Sequence, residues 1–362
     1  MLQGGGALGS YQAGIFQALC DDGLEPDWVA GISIGAINAA LIAGNPPERR
    51  LERLGAFWNE VTALCPTSWA PLNGFRSTYN EMSAALTALW GAPGFFAPRP
   101  GSTRAASNAD PAALSFYDTG QLRTTLERLV DFDYLNGGQT RLTVGAVEIT
   151  TGNSVIFDSA LQRIGPEHIM ASGALPPGLP PVEIDGRWYW DGGVVSNTPL
   201  QFVMNAMAQE DLFVFQVDLF NARGPMPESL MDVREREKDI HYSSRTRFNT
   251  DTGIAEHKLK ATLRAVLDRL PDNFGLDEEI DILRAASREN AVTIVQLIYR
   301  KRPYEGGSKD YEFSRLTMRE HWAAGAADGK RFVDEYSQLL ARPRSPGVMV
   351  IDPGAQDIRG GN

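Results

Sequence analysis

Cysteine, histidine and positive charge are all scarce in this chain, and each shortage excludes something. There are 2 cysteines, Cys20 and Cys65, far apart and at no metal-binding or redox spacing. They read as free thiols of a reducing compartment rather than a disulfide framework. The 4 histidines are His168, His241, His257 and His321, and none sits in a recognisable triad or metal motif. His168 lies near Asp191 in sequence, which leaves a triad through it open. No calcium loop or histidine-rich metal motif appears, so no metal and no organic cofactor is expected. Lys and Arg total 34 against 45 Asp and Glu, a net charge of −11. That balance lacks the basic face a nucleic-acid binder needs, and it disfavours general attraction to anionic membranes. Long apolar runs are also missing. The run from Trp28 to Gly44 approaches the lower limit of about 17–25 residues for a membrane span. Glycines, Ser33 and Asn38 interrupt it, and no basic flank anchors it. No internal repeat and no signal peptide is visible, which predicts a cytoplasmic protein.

What is present is an ordinary globular composition, 43% hydrophobic and 22% charged over 362 residues. This suits one large α/β domain or two smaller ones. The organising stretch is Trp28-Val29-Ala30-Gly31-Ile32-Ser33-Ile34-Gly35-Ala36, which contains a G-x-S-x-G pentapeptide. Such a pattern demands a sharp strand-to-helix turn, with serine at a strained apex and glycines where side chains would collide. The flanks agree: a short buried strand ends at Ala30, and Ala36–Ala43 reads as a buried helix. The Ser33 hydroxyl would then leave a helix N-terminus, where developing negative charge is favoured. The bland alternative is a glycine-bracketed turn with an inert serine.

A glycine loop, Gly4-Gly5-Gly6-Ala7-Leu8-Gly9, precedes a helix beginning near Ser10. Only two or three residues stand before it, whereas a buried strand usually takes about five. Either the first strand is truncated or the native start lies upstream. Two functions compete for the loop. Gly4, Gly6 and Gly9 satisfy the dinucleotide pattern G-x-G-x-x-G, but that site needs an acid at the C-terminal end of the second strand. Glu25 and Asp27 stand at its wrong end. The other reading is an oxyanion hole, with the loop N–H groups facing an intermediate formed on Ser33.

Further on, Leu51, Leu54, Phe57, Trp58 and Val61 recur at helical spacing and predict a core stripe. Residues 66–115 are rich in proline and glycine, with one helix expected over 77–90 and the apolar pairs Leu89-Trp90 and Phe95-Phe96. Long excursions of this kind are lids or self-packed surface insertions. Strands are expected over 140–149 and 153–158, then a short helix from Gly165 and a hairpin over 183–190 with an Asp-Gly turn. The hairpin delivers Asp191-Gly192-Gly193. Asp191 at a strand end, followed by glycines, can reach another loop and accept a serine proton, or it can simply hold an Asx-turn. A helix starts near Pro199, buried strands follow at 212–219 and 292–299, and 229–248 and 254–270 read as charged helical segments. The tail from 342 is Pro/Gly-rich and reads as loose.

Taken together, the glycine loop, Gly31-Ile32-Ser33-Ile34-Gly35 and Asp191-Gly192-Gly193 occur in the order and rough spacing of the patatin-like phospholipase family, which the chain resembles. Ala171-Ser172-Gly173-Ala174-Leu175-Pro176 with Pro180-Pro181-Val182 is similar to that family's proline-rich block before the aspartate. The resemblance covers about residues 1–220, and 221–341 resembles the C-terminal extension of a bacterial branch. It implies a three-layer α/β/α fold with a mainly parallel sheet over 1–220, with 66–115 as its lid or insertion. A largely helical extension over 221–341 would pack on it, and 342–362 would be a loose tail. It further implies a serine lipid acyl hydrolase. Ser33 would be the nucleophile, Asp191 the general base and Gly31 and Gly35 the elbow. Gly192 and Gly193 would follow the base, and Gly4, Gly5, Gly6, Ala7, Leu8 and Gly9 would form the oxyanion hole. Leu8 departs from the Arg or Lys usual at its place, which removes a loop cation but no backbone N–H. The implied partners are phospholipid, lysophospholipid or other fatty acyl esters, with transient contact to a membrane surface. A carboxylate base suggests slower turnover than a triad and a pH–rate limb well below neutrality. The rivals are a non-catalytic acyl-chain-binding protein and a dinucleotide-dependent oxidoreductase.

Overall fold

The architecture is that of a computed structural model, which describes residues 1–66, 75–99, 111–206, 210–270, 278–287, 290–302, 304–341 and 347–354. Its strands are β1 (Trp28–Gly31), β2 (Ala97–Pro98), β3 (Tyr117–Asp118), β4 (Arg141–Glu148), β5 (Ser154–Asp158), β6 (Val182–Ile184), β7 (Arg187–Asp191), β8 (Leu212–Asp218), β9 (Ala291–Ile298) and β10 (Gly347–Ile351). β4 is the hub: β1 pairs with it in parallel, and β5 and β7 pair with it antiparallel. β6 and β7 form the expected hairpin, with Asp185 and Gly186 both at positive φ, as a tight Asp-Gly turn requires. On the other side β8, β9 and β10 run parallel to one another.

Leu2 stitches the two halves together. It bridges Gly31 and Val217, both in parallel. Its N–H donates to the Ala30 carbonyl at 2.8 Å, and its own carbonyl accepts from Ile32 N–H at 3.1 Å. The first strand is therefore very short, and the chain passes straight from it into the glycine loop.

Helices cover both faces of the sheet. Along β8, Phe213 and Phe215 turn towards Phe332 of helix Arg315–Tyr336, while Val214 joins Leu200 and Met204 of helix Leu200–Ala206. This alternation is the period of two that a strand imposes. Helix Ile34–Ala43, apolar but for Asn38, is buried along its whole length. Helices Ser10–Asp21 and Arg315–Tyr336 approach closely through Gly14 and Gly325, where a Cβ would collide with the Trp322 and Tyr11 carbonyl oxygens.

Two expectations change. The segments 229–248 and 254–270 are one helix, Leu230–Leu267, capped by Ser229 accepting from Asp232 N–H. The turn-like residues near Gly253 do not break it, because Gly253 lies against the Met204 side chain and tertiary contact outweighs weak propensity. Within the extension the buried strand expected at 292–299 is β9, and with β10 it continues the sheet that β8 begins. Within the supposed loose tail, Gly347–Ile351 is β10, a Val-Met-Val-Ile run of strand-forming residues concealed by its Pro/Gly-rich surroundings. Residues 342–346 and 355–362 lie outside the described residues. Of the 66–115 excursion, helix Arg76–Trp90 is formed as expected, and 67–74 and 100–110 lie outside the described residues.

A buried polar cluster ties β9 to helix Arg315–Tyr336. The Tyr299 hydroxyl donates to Glu305, and His321 Nε2 lies 2.6 Å from Glu305 Oε1. Burial alone would raise the Glu305 carboxyl, but hydrogen bonding and charge from His321, with the Tyr299 hydroxyl, hold it down at about 2. A depressed carboxylate contributes stability above its ordinary value of 4.5, and that contribution is lost as pH falls towards 2. Glu305→Gln is expected to cost about 3 kcal/mol at pH 7 and much less at pH 3, measured by urea unfolding. An equal loss at both pH values would show that packing, not charge, holds this cluster.

Candidate active site

Ser33 sits between β1 and helix Ile34–Ala43 at φ 56°, ψ −125°, a conformation that non-glycine residues avoid. Such strain costs about 1–3 kcal/mol and persists only where surroundings enforce it. Here they do. A Cβ on Gly31 would collide with the Gly35 carbonyl oxygen, and a Cβ on Gly35 with that of Leu2. Ser33 N–H is held by Ser172, whose carbonyl and hydroxyl oxygens both lie 3.1 Å away. The hydroxyl is left to point from the helix N-terminus.

Ser33 and Asp191 line one cavity, near enough for the hydroxyl to draw the carboxyl pKa down. Asp191 ends β7 and is buried; its Oδ1 also accepts Gly193 N–H at 2.7 Å, so it holds the Gly-Gly corner as well as meeting the serine. The turn reading of this residue is seen directly in that bond. Gly192 packs against β4, where a Cβ would lie 2.6 Å from the Gly145 carbonyl oxygen. Burial pushes the Asp191 carboxyl up to about 7, against the opposing pull of the Ser33 hydroxyl and Gly193 N–H. The expectation of a base titrating well below neutrality therefore falls. Burial disfavours the charged form of a carboxyl and moves its pKa towards the range of an imidazole.

The glycine loop divides into two parts. Gly4, Gly5 and Gly6 line the same cavity as Ser33 and Asp191. A Cβ on Gly4 would lie 3.0 Å from Ser33 Cβ, and Gly6 needs its φ of 55° to pass the Asp310 carbonyl. Ala7, Leu8 and Gly9 do not face the cavity. Ala7 N–H donates to the Asp310 carbonyl at 2.7 Å and Leu8 N–H to that of Gly5 at 3.2 Å. Leu8 is wholly buried, and Gly9 packs on Ile34 and Trp58. Of the six loop residues expected to form an oxyanion hole, Gly4, Gly5 and Gly6 line the cavity, while the Ala7 and Leu8 N–H groups are taken up by the Asp310 and Gly5 carbonyls. The dinucleotide reading has no support here. Its third glycine is inside the core, and Glu25 is paired with Arg50.

Side chains that sequence reasoning passed over hold this frame. Asn197 Nδ2 donates to the Gly4 carbonyl at 2.9 Å, so the residue joins the glycine loop to the turn after Asp191. Its neighbours Thr198 and Pro199 had marked it only as a helix start. Asn38 Nδ2 donates to the Gly9 carbonyl and Gln12 Oε1, and its Oδ1 accepts from Trp58 Nε1. The extension contributes as well: Tyr242, Asp310, Tyr311 and Phe313 line the cavity, and Lys238 pairs with the Asp310 side chain.

The cavity encloses about 400 Å³. Beyond the polar floor its walls are apolar, formed by Phe95, Phe96, Phe116, Leu179, Phe220 and Phe313. Among the described residues no histidine lines it. His168 Nδ1 accepts Gly165 N–H at 2.9 Å with its ring against Phe157, and His321 is held by Glu305, so no triad is assembled through either. A serine hydroxyl, a buried carboxyl and glycine backbone at the floor of an apolar pocket are residue types that acyl transfer from a fatty ester can use.

A family model described as patatin-like phospholipase matches residues 1–204, and one described as patatin phospholipase matches residues 240–345. The crystal structure of VipD from Legionella pneumophila is similar at a TM-score of 0.40 and 13% identity, covering 92% of this chain and 66% of that one. The chain thus spans just under two thirds of that protein's crystallised length. Among curated proteins none matches.

Proposed function

The chain belongs to the patatin-like phospholipase family, and from that premise we propose that it hydrolyses fatty acyl esters of phospholipids or lysophospholipids through a Ser33–Asp191 dyad. The observation that supports this reading is Ser33, on an enforced strained turn, beside the buried Asp191 carboxyl on the floor of one apolar cavity.

In this reading Ser33 Oγ attacks the ester carbonyl carbon while its proton passes to Asp191. The tetrahedral oxyanion sits against the Gly4–Gly6 backbone, which needs no reorganisation to receive it. Collapse breaks the ester C–O bond, and the leaving alcohol takes the proton back from Asp191. Water then attacks the acyl-enzyme, giving its proton to Asp191, and the fatty acid leaves as Ser33 regains its hydrogen. The acyl chain occupies the phenylalanine-walled cavity. Phe95 and Phe96 form part of its wall.

Hydrolysis of p-nitrophenyl esters of increasing acyl length tests this. The rate is expected to climb from acetate to medium-chain esters as the apolar walls are filled, and phosphatidylcholine is expected to release fatty acid. Failure to hydrolyse any ester would remove the reading. The elbow gives a sharper variant. Gly35→Ala sets a Cβ against the Leu2 carbonyl oxygen and so shifts the turn that carries Ser33, which is expected to lower kcat on the order of 10²-fold. Circular dichroism should show the fold retained; activity kept at the wild-type level would contradict the role of the turn.

A further inference from the structure

Helix Arg76–Trp90 is inverted. Its buried residues are Arg76, Asn80, Ser83, Ala84 and Thr87, an almost wholly polar stripe at helical spacing. The stripe is fastened inward: Arg76 donates to Asn80 Oδ1, Thr317 Oγ1 and Glu320 Oε2 at 2.5, 2.9 and 2.7 Å. The opposite side carries the large apolar residues, with Met82 62%, Leu89 67% and Trp90 69% exposed and Leu86 beside them. A solvated helix does the reverse, and contiguous exposed apolar surface marks an interaction site.

This face continues to the mouth of the catalytic cavity. The Tyr117 hydroxyl donates to the Ala88 carbonyl at 2.8 Å, and Tyr117 lines the cavity. Its neighbour Phe116 and the proline-block residue Leu175 also line the cavity, and both are exposed to solvent. A protein seated on such a face would stopper the mouth; a bilayer would supply it with substrate. Charge narrows the choice of bilayer. The helix carries only Arg76 and Glu81 as charged residues, Arg76 is buried against Glu320, and the chain is at −11 overall. Among the described residues of this helix no cation stands on the exposed face, whereas Trp90 and its neighbours suit entry into the interfacial layer. We propose that the exposed face of helix Arg76–Trp90, with Phe116 and Leu175, docks on a zwitterionic phospholipid surface beside the entrance to Ser33. The choice of a lipid partner rests on the proposed function.

Co-sedimentation of the full chain with phosphatidylcholine vesicles tests the docking. The wild type is expected to bind, with no gain from added phosphatidylserine and no loss in high salt. Met82→Ser/Leu89→Ser is expected to weaken binding by at least about tenfold, because two buried apolar side chains are lost. Its hydrolysis of soluble p-nitrophenyl butyrate should match the wild type, which also shows that it folds. Equal binding by the variant, no binding by the wild type, or binding only to anionic vesicles would overturn the proposal. So would a wild-type dimer in size-exclusion chromatography that the variant converts to monomer, since a second copy would then cover the face. Vesicle binding with no hydrolysis of any ester would support the docking while refuting the hydrolase.

Discussion

Ser33→Ala is expected to lower kcat for a soluble ester by on the order of 10⁴-fold or more, and Asp191→Asn by a comparable factor. The two groups act on one proton in one step, so their losses should not add. The double variant is expected to be no worse than the poorer single variant, with residual activity from the glycine loop and the pocket alone. Asn keeps the shape of Asp191 and can still accept Gly193 N–H, so the loss would report proton acceptance rather than collapse of the turn. Additive losses, or turnover surviving Ser33→Ala, would mean that the groups do not form a unit.

The second large effect is on stability, and its sign is opposite. Burial raises the Asp191 carboxyl from 3.8 to about 7. Between those values the folded chain holds a proton that the unfolded chain has released. The ionised group therefore opposes folding increasingly as pH rises through this window, and the penalty is constant above about 7. The full rise corresponds to about 4 kcal/mol. Asp191→Asn removes it, so the variant is expected to match the wild type near pH 4 and to exceed it by up to about 4 kcal/mol at pH 8, measured by urea unfolding. A gap independent of pH would show that burial does not shift this carboxyl. The same shift places the acidic limb of the pH–rate profile near 7, where a histidine would also put one. The limb is therefore expected to persist in His168→Gln; its loss there would point to a histidine base.

The parts of this site that were legible in the sequence are those whose backbone leaves no choice of residue. Gly31 and Gly35 bracket Ser33 because any Cβ at either position meets a carbonyl oxygen, and that requirement is written locally. Asp191 was legible only alongside the other motifs, since an Asp before two glycines equally suits a turn, and here it also serves as one. In the glycine loop nothing local shows which N–H groups its own 3₁₀ turn and the distant Asp310 carbonyl will take up. Asn197, Tyr242 and Asp310 reach the site from far along the chain and carry no local mark. In the fold, the strong strands β4, β5, β8 and β9 were visible as apolar runs, whereas β10 was hidden by its flanks. Helix Arg76–Trp90 was placed from its pattern, but a pattern does not say which face turns inward, and here the polar one does.

Covalent labelling with a p-nitrophenyl alkylphosphonate, read by peptide mass spectrometry, tests the dyad most directly. Only a hydroxyl deprotonated as it attacks reacts quickly, and the adduct names its residue. The expected result is a single adduct on Ser33, forming faster as pH rises through about 7, absent in Ser33→Ala and strongly slowed in Asp191→Asn. An adduct on another residue, or labelling of Ser33 at the same rate in Asp191→Asn, would contradict the account.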